Sequence, residues 1–241
     1  MTKGIFIIGT DTDVGKTIVT AGIINVLRSN GYNATYFKAA LSGALEINEE
    51  VVPGDTKIVS EVSGLKECYK NINPYVYKTA VSPHLAAQIE NKKIDIKVIK
   101  EKYNYLKEKY DYIIAEGSGG IVCPLIYENE RIYSLENLIK DLNMDVIIVT
   151  RSGLGTINHT VLTVKYLHNI GVNIRGIIAN NYENNLLCND NIKMIEKITK
   201  IPIIAKFPKI KDLEEDMVEK IREKSIESLN VCELIKFFKE L

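Results

Sequence analysis

The first stretch able to do chemistry is Gly9-Thr-Asp-Thr-Asp-Val-Gly-Lys-Thr17, directly after the apolar run Ile5-Phe-Ile-Ile8. Its end, Gly15-Lys16-Thr17, is how a phosphate-binding loop ends. There the Lys reaches the β- and γ-phosphates and the Thr hydroxyl binds Mg²⁺. The usual spacing, G-x-x-x-x-G-K-[ST], would place its first Gly at position 10, which is Thr; Gly9 comes one residue early. The required parts are nonetheless present: a strand to fix the start, glycines to turn the chain, and a helix whose N-terminal N–H groups face an anion. Asp11 and Asp13 would repel phosphate unless turned away. Either their carboxylates cap loop N–H groups, or one faces a cation such as a substrate amine. Spacing leaves both readings open.

Glu116 closes the apolar run Tyr112–Ala115 and opens Glu116-Gly-Ser-Gly-Gly120. An acid and glycines together at a strand end suit Mg²⁺ and a close ligand, because open parallel sheets bind beyond their carboxyl edges. Lys38 follows Thr35–Phe37 and could stabilise charge on a transferred phosphoryl group; by residue type alone a surface Lys is the better reading. Asp55, in Pro53-Gly-Asp-Thr56, reads as a helix cap before it reads as a second Mg²⁺ ligand. His84 and His159 lack partners at metal-ligand spacing, so capping or core roles are expected. Gly153 and Gly155 again mark the ligand edge, after Val146–Val149.

The elements that must position these residues are short β-branched runs separated by helical periods. Ile5–Ile8, Thr35–Phe37, Tyr112–Ala115, Val146–Val149, Ile174–Ala179 and Ile203–Ala205 are predicted strands, mostly apolar throughout, as in a parallel sheet covered on both faces. Helices are predicted over 15–28, where Ile18, Ala21, Ile24 and Leu27 step at helical spacing, over 96–110, and over an amphipathic 231–241. The segments 44–53 and 180–185 read as loops. The alternation predicts a single α/β domain over residues 1–241: a doubly wound, mostly parallel sheet with helices on both faces, of the P-loop nucleoside-triphosphatase type.

The chain has 241 residues, 46% hydrophobic and 26% charged, with 31 basic and 31 acidic side chains. The zero formal net charge gives no electrostatic case for nucleic acid. No apolar run reaches the length of a membrane span or a signal sequence. Cys68, Cys123, Cys188 and Cys232 are widely spaced and read as reduced thiols of a cytoplasmic protein.

Taken together, these blocks resemble the dethiobiotin synthetase family. Its loop reads G-T-D-T-x-V-G-K-T, and Gly9–Thr17 fits every fixed position. Lys38 with Ser42-Gly43, Asp55, Asn73-Pro-Tyr75, Ser82-Pro-His84, Glu116-Gly-Ser-Gly-Gly120, Leu154-Gly-Thr-Ile-Asn-His159, Ala179-Asn180 and Pro208 follow in the family's order. The resemblance spans about residues 4–208, and the ordered set is far more specific than the loop alone.

The resemblance implies an ATP- and Mg²⁺-dependent ligase of biotin biosynthesis. It would close a cyclic urea on diaminopelargonic acid with CO₂, through a carbamate and a carbamic-phosphoric anhydride, giving dethiobiotin, ADP and phosphate. It implies Lys16 and Lys38 as the catalytic cations, on the phosphates and the carbamate. Thr17, Asp55 and Glu116 would be the metal ligands. ATP would lie along Thr12, Asp13, Val14, Gly15, Lys16 and Thr17, with Asn180 on the adenine and Pro208 near the base. Thr12, Lys38, Ser42 and Gly119 would meet the substrate, and Leu154, Gly155 and Asn158 would hold its carboxylate from the neighbouring subunit of a homodimer. The chain departs from the family where Lys-Pro becomes Lys38-Ala39 and Glu-Pro becomes Thr79-Ala80; losing Pro at 39 frees φ beside Lys38. Either Asp11 or Glu116 could orient or deprotonate the amine.

Two rivals share the loop. An amide-forming synthetase that uses glutamine would need a Cys–His arrangement, and none is evident. A partitioning ATPase carries a Lys five positions before the loop Lys, where this chain has Asp11. A third, a nucleotide-binding protein that has lost catalysis, is disfavoured by the retained acids and lysines.

Overall fold

The computed structural model describes residues 1–210 and 216–241. Strand β1 (Lys3–Gly9) leads through the loop into α1 (Lys16–Ser29), which is buried along most of its length. β2 (Ala34–Phe37) follows, and then a region of short pieces: β3 (Ala40–Leu41), β4 (Leu45–Ile47), β5 (Glu50–Val52), α2 (Gly54–Ser63), α3 (Tyr69–Ile72), β6 (Tyr75–Val76) and α4 (Pro83–Ile89). The amphipathic α5 (Ile96–Lys109) is capped by Asp95, whose carboxylate accepts from the Lys97 N–H. It returns the chain to β7 (Tyr112–Gly120), then the hairpin β8 (Pro124–Glu128) and β9 (Arg131–Ser134), and α6 (Leu135–Asp141). Strand–helix pairs complete the chain: β10 (Val146–Arg151), α7 (Thr156–Asn169), β11 (Ile174–Tyr182), α8 (Leu186–Thr199), β12 (Ile203–Pro208) and α9 (Met217–Ser228). At the C-terminus are α10 (Val231–Leu234), a 3₁₀ turn (Ile235–Phe237) and β13 (Lys239–Glu240).

The main sheet runs β12-β11-β10-β1-β7-β2, all parallel, with β13 antiparallel to the start of β1. The expected doubly wound, mostly parallel α/β sheet is therefore present. β1 sits where the connections diverge: the chain goes out to β2, back to β7, and then to β10 on the other side. Ligand crevices form at such a switch point, and the glycine-rich loop after β1 lies there. Alternation along the strands divides the faces. Phe37 meets Tyr103 of α5, with ring centroids 5.6 Å apart, and a side chain at Gly117 would collide with Leu135 of α6. The neighbouring positions Tyr36 and Glu116 face the other way, toward α1. That helix packs on α2 and α9, and Asn25 donates to Ser225 across the α1–α9 contact at 3.0 Å.

Four expectations are corrected. The 44–53 segment is a β4–β5 hairpin; Asn48 and Glu49 take φ of 50° and 67°, the left-handed turn that matches strand twist. The 180–185 segment is strand as far as Tyr182. Asn180 pairs with Arg151 of β10, and Tyr182 pairs with Pro208 of β12. The strand that opens at Tyr112 does not stop before Glu116: Glu116 pairs with Ile7 and Gly120 with Gly9. The 231–241 helix breaks after one turn, because Lys239 and Glu240 bond to Gly4 and Lys3 instead. The ladder uses the unpaired side of the start of β1, while Leu234 and Phe238 stay buried against the core, Phe238 edge-on to Tyr112.

Candidate functional site

The loop closes more tightly than its spacing suggests. Lys16 is buried, and its Nζ donates to the Asp11 carbonyl at 3.0 Å. A Cβ at Gly9 would lie 2.9 Å from that Nζ and 2.6 Å from the Asp11 oxygen, so the early glycine is what lets the longer loop fold back over the lysine. Gly15 has φ of 87° and caps α1 without a side chain. A Cβ there would overlap the amide of Asn180, which donates to the Val14 carbonyl at 2.8 Å. Asp11 settles into the capping role: its Oδ1 accepts from the Thr12 N–H at 2.7 Å. Asp13 holds φ of 55°, which a short polar residue tolerates, and both acids are exposed.

Opposite the loop, two carboxylates converge on the Lys38 ammonium. Asp55 Oδ2 lies 2.5 Å from Nζ and Glu116 Oε1 lies 2.8 Å away. Glu116 Oε1 also accepts from Thr17 Oγ1 at 2.9 Å. Lys38 is only 4% exposed, which overturns the surface reading. Burial alone would lower its pKa, but Glu116 and then Asp55 outweigh that and hold it raised. Burial would raise Asp55; Lys38 reverses the sign and holds the carboxyl below its ordinary value. Asp55 is not a cap: α2 begins after Pro53 without any side-chain cap, and the Asp55 carboxylate is engaged with Lys38. Lys16 is lowered, by burial first and by the nearby Lys38, with Glu116 opposing.

The lysine's backbone is fixed as firmly as its head. Lys38 N–H donates to the Ile72 carbonyl at 2.7 Å, and Asn73 Nδ2 donates to the Lys38 carbonyl at 2.7 Å. Asn73 Oδ1 accepts from Thr56 Oγ1 at 3.1 Å, which ties the same amide to the helix carrying Asp55. Ala39, in place of the family's Pro, is therefore preceded by a residue whose backbone is set by hydrogen bonds.

These residues surround a cavity of about 290 Å³ lined by Thr12, Asp13, Gly15, Lys16, Thr17, Lys38, Leu41, Ser42, Asp55, Glu116, Ser118 and Gly119. A second hollow of about 710 Å³ shares Thr12, Asp13, Ser42, Ser118 and Gly119 and extends past Val81, Pro83, Val122 and Pro124. Polar groups thus gather at one end and apolar walls at the other. Leu154, Gly155 and Asn158 line neither cavity. They stand exposed around the uncapped N-terminus of α7, with Leu154 91% exposed. Pro208 ends β12 and lies apart from the lysines. His159 is exposed, against the core expectation, and His84 follows the N-cap Ser82 with a buried Nδ1 that has no partner among the described residues.

The residues alone did not point to Tyr36, whose hydroxyl donates to Glu116 Oε2 at 3.1 Å, or to Arg151, whose Nη2 donates to the Thr12 carbonyl at 3.1 Å. The signal for Tyr36 is its place two residues before Lys38, which directly follows the strand, so that alternation carried one residue past β2 sets both on one face. Burial, then Glu116, pushes the Tyr36 phenol well above its ordinary pKa.

A family model described as an AAA domain matches residues 3–217. The ATP-dependent dethiobiotin synthetase BioD of Clostridium kluyveri is 63% identical over 241 residues, covering 100% of both chains. That of Clostridium acetobutylicum is 50% identical over 234 residues, covering 97% of this chain and 95% of its own. Among solved structures, the septum site-determining protein MinD of Pyrococcus horikoshii, complexed with Mg-ADP, superposes with a TM-score of 0.56 at 18% identity, covering 98% of this chain and 94% of that one. At that identity the likeness shows the P-loop fold alone.

Proposed function

Since the chain belongs to the ATP-dependent dethiobiotin synthetase family, we propose that it is the enzyme of biotin biosynthesis that closes the urea ring of dethiobiotin from diaminopelargonic acid, CO₂ and ATP. The observation that carries this reading is the Lys38 ammonium held between Asp55 and Glu116, with Thr17 on the same carboxylate oxygen. It supports a phosphoryl-transfer site whose parts come from the start of α1, the residue after β2, the first turn of α2 and the middle of β7.

The polyphosphate lies along the N–H groups of residues 12–17, at the N-terminus of α1, and Lys16 neutralises its charge. The diamine's chain runs along the apolar wall of Val81 and Val122, with its amines toward Thr12, Ser42 and Lys38. One amine adds CO₂ and loses a proton to give a carbamate, which Lys38 neutralises. A carbamate oxygen attacks the γ-phosphorus and ADP leaves. The second amine then attacks the carbonyl carbon of the mixed anhydride and phosphate leaves, closing the ring. The task of the residues is in-line placement and charge neutralisation, which suits a site without a covalent nucleophile.

One hydroxyl and two carboxylates are hard oxygen donors, and the set fits Mg²⁺, which keeps water and phosphate oxygens in its remaining positions. Thr17, Asp55 and Glu116 would hold the ion, and when bound it neutralises the β- and γ-phosphates. Asn180 takes the adenine edge, with the backbone near Pro208 beside the base. The exposed start of α7 around Leu154, Gly155 and Asn158 serves the site of a second copy in a homodimer, where its free N–H groups hold the substrate carboxylate.

The deciding experiment is phosphate release from ATP and Mg²⁺ with bicarbonate, with and without the diamine. Release that depends on the diamine, with a product of dethiobiotin's mass, supports the reading. Release indifferent to the diamine would sink it.

A further inference from the structure

Tyr36 takes no part in the steps above, yet its hydroxyl is spent on the carboxylate those steps depend on. The ring is fully buried in β2, and the O–H donates to Glu116 Oε2 at 3.1 Å. The other oxygen of Glu116, Oε1, accepts from Thr17 Oγ1 at 2.9 Å and from Lys38 Nζ at 2.8 Å. The two oxygens therefore have separate duties: one faces the phosphate loop and the other is anchored inside the strand layer.

Strand register produces this division. Tyr36 stands opposite Ile114 in the parallel β2–β7 ladder. Glu116 lies two residues beyond Ile114 and so leaves the same face as Tyr36; Lys38, one residue past the end of β2, meets it there at 2.8 Å. The last torsion of a Glu side chain is broad and has no strong rotamer of its own. Donors on both oxygens hold the plane of the carboxylate, so that one oxygen stays turned to the loop. Among the hydrogen bonds of the described residues, Tyr36 supplies the one on Oε2.

We propose that Tyr36 is a positioning residue for phosphoryl transfer: its hydroxyl locks the Glu116 carboxylate with Oε1 presented to Thr17 and Lys38. The role rests on the reading of Glu116 as a Mg²⁺ ligand. Tyr36→Phe keeps the buried ring and removes only the donor. The freed carboxylate can then rotate, or leaves Oε2 buried without a partner.

The test compares the unaltered protein, Tyr36→Phe, Glu116→Gln and the double variant. ADP binding is measured by calorimetry in EDTA and at rising Mg²⁺, alongside kcat and KM for ATP and the diamine. Tyr36→Phe is expected to bind ADP normally in EDTA and to need about fivefold more Mg²⁺ for half-maximal tightening, the factor that one lost hydrogen bond gives. Its kcat falls while the diamine KM holds. The double variant is expected to be no worse than Glu116→Gln, because Tyr36 acts only through that carboxylate. Coincident Mg²⁺ titrations for Tyr36→Phe and the unaltered protein would overturn the proposal. So would losses that add in the double variant, or a Tyr36→Phe protein that has lost metal-free ADP binding and melts early, since each describes a packing residue. If Glu116→Gln leaves the Mg²⁺ titration unmoved, the metal-ligand reading itself fails, and this outcome is separate from any effect at Tyr36.

Discussion

At the scale of single residues, the site is a balance of buried charge. Lys38 neutralises two acids that would otherwise face each other at close range, and an ion pair taken apart from one side leaves its partner uncompensated. Lys38→Met should therefore lower stability by roughly 3 kcal/mol, with Asp55's partial exposure keeping the loss at the low end of the range for a broken buried pair. Millimolar Mg²⁺ should return part of it by placing a cation between the same carboxylates. Denaturant melts with and without Mg²⁺ check this; a loss that Mg²⁺ leaves untouched would argue against a metal site there. Lys16→Ala should fold normally and lose about 10²–10³ in turnover, the usual cost of one charge-stabilising donor, read as diamine-dependent phosphate release. The identity of these residues was legible in the sequence, since Gly15-Lys16-Thr17 and Glu116 carry their chemistry in their spacing. The partnership of Lys38 with Asp55 was not. Those residues lie on different elements, and the placing of α2 beside the end of β2, with Asn73 bonded to both, brings them to 2.5 Å.

At the scale of elements, two buried polar hubs hold the region between β2 and β7 in place, where secondary structure is short and fragmented. Asn73 is 2% exposed and joins the Lys38 backbone to α2. Asn73→Ala should cost about 1–3 kcal/mol, because the Lys38 carbonyl and the Thr56 hydroxyl lose their partner. It should also lower kcat more than it changes ATP binding, because Lys38 drifts while the loop stays. Glu67 is the second hub. It accepts from Lys109, the Tyr110 hydroxyl, Asn71 and the Cys68 N–H. Burial would raise its pKa, but the four donors hold it down at about 2 against an ordinary 4.5. A carboxyl depressed on folding stabilises above its unfolded pKa and loses that contribution as pH falls through the folded one. The stability gap between the unaltered protein and Glu67→Gln should thus be full above pH 4.5 and shrink toward pH 2; denaturant melts across that range measure it. These hubs were not visible as such in the sequence: Asn73 stands out there only within the Asn73-Pro-Tyr75 block, with no role attached, and Glu67 looks like any polar residue in a loop. The strands of the main sheet were visible, because a run apolar on both faces admits few other structures. Where the pattern was weaker, as over 44–53 and 231–241, tertiary pairing decided the outcome.

At the scale of the molecule, the described residues split the proposed site into a built half and an exposed half. The built half is the cavity around Lys16, Lys38 and Glu116. The exposed half is the start of α7, where Gly155 caps the helix without a side chain and Leu154 and Leu162 are 91% and 58% exposed. If a second copy brings its α7 to the first copy's cavity, a twofold-related pair completes two equal sites. This arrangement makes an arithmetic prediction. Lys16→Ala spoils the cavity half, and Asn158→Asp spoils the α7 half by setting a negative charge against the substrate carboxylate. Each variant alone should be nearly inactive. In a mixed pair, one site carries both defects and the other carries neither. Random mixing at equal amounts makes about half the dimers mixed, each with one sound site of two, so activity should recover to about a quarter of normal. The readout is diamine-dependent phosphate release after the two variants are unfolded and refolded together, with each variant refolded alone as the control. Recovery near a quarter places α7 across the interface. A mixture as inactive as its parents means that each α7 serves its own subunit's cavity, and the exposed leucines then belong to a different contact.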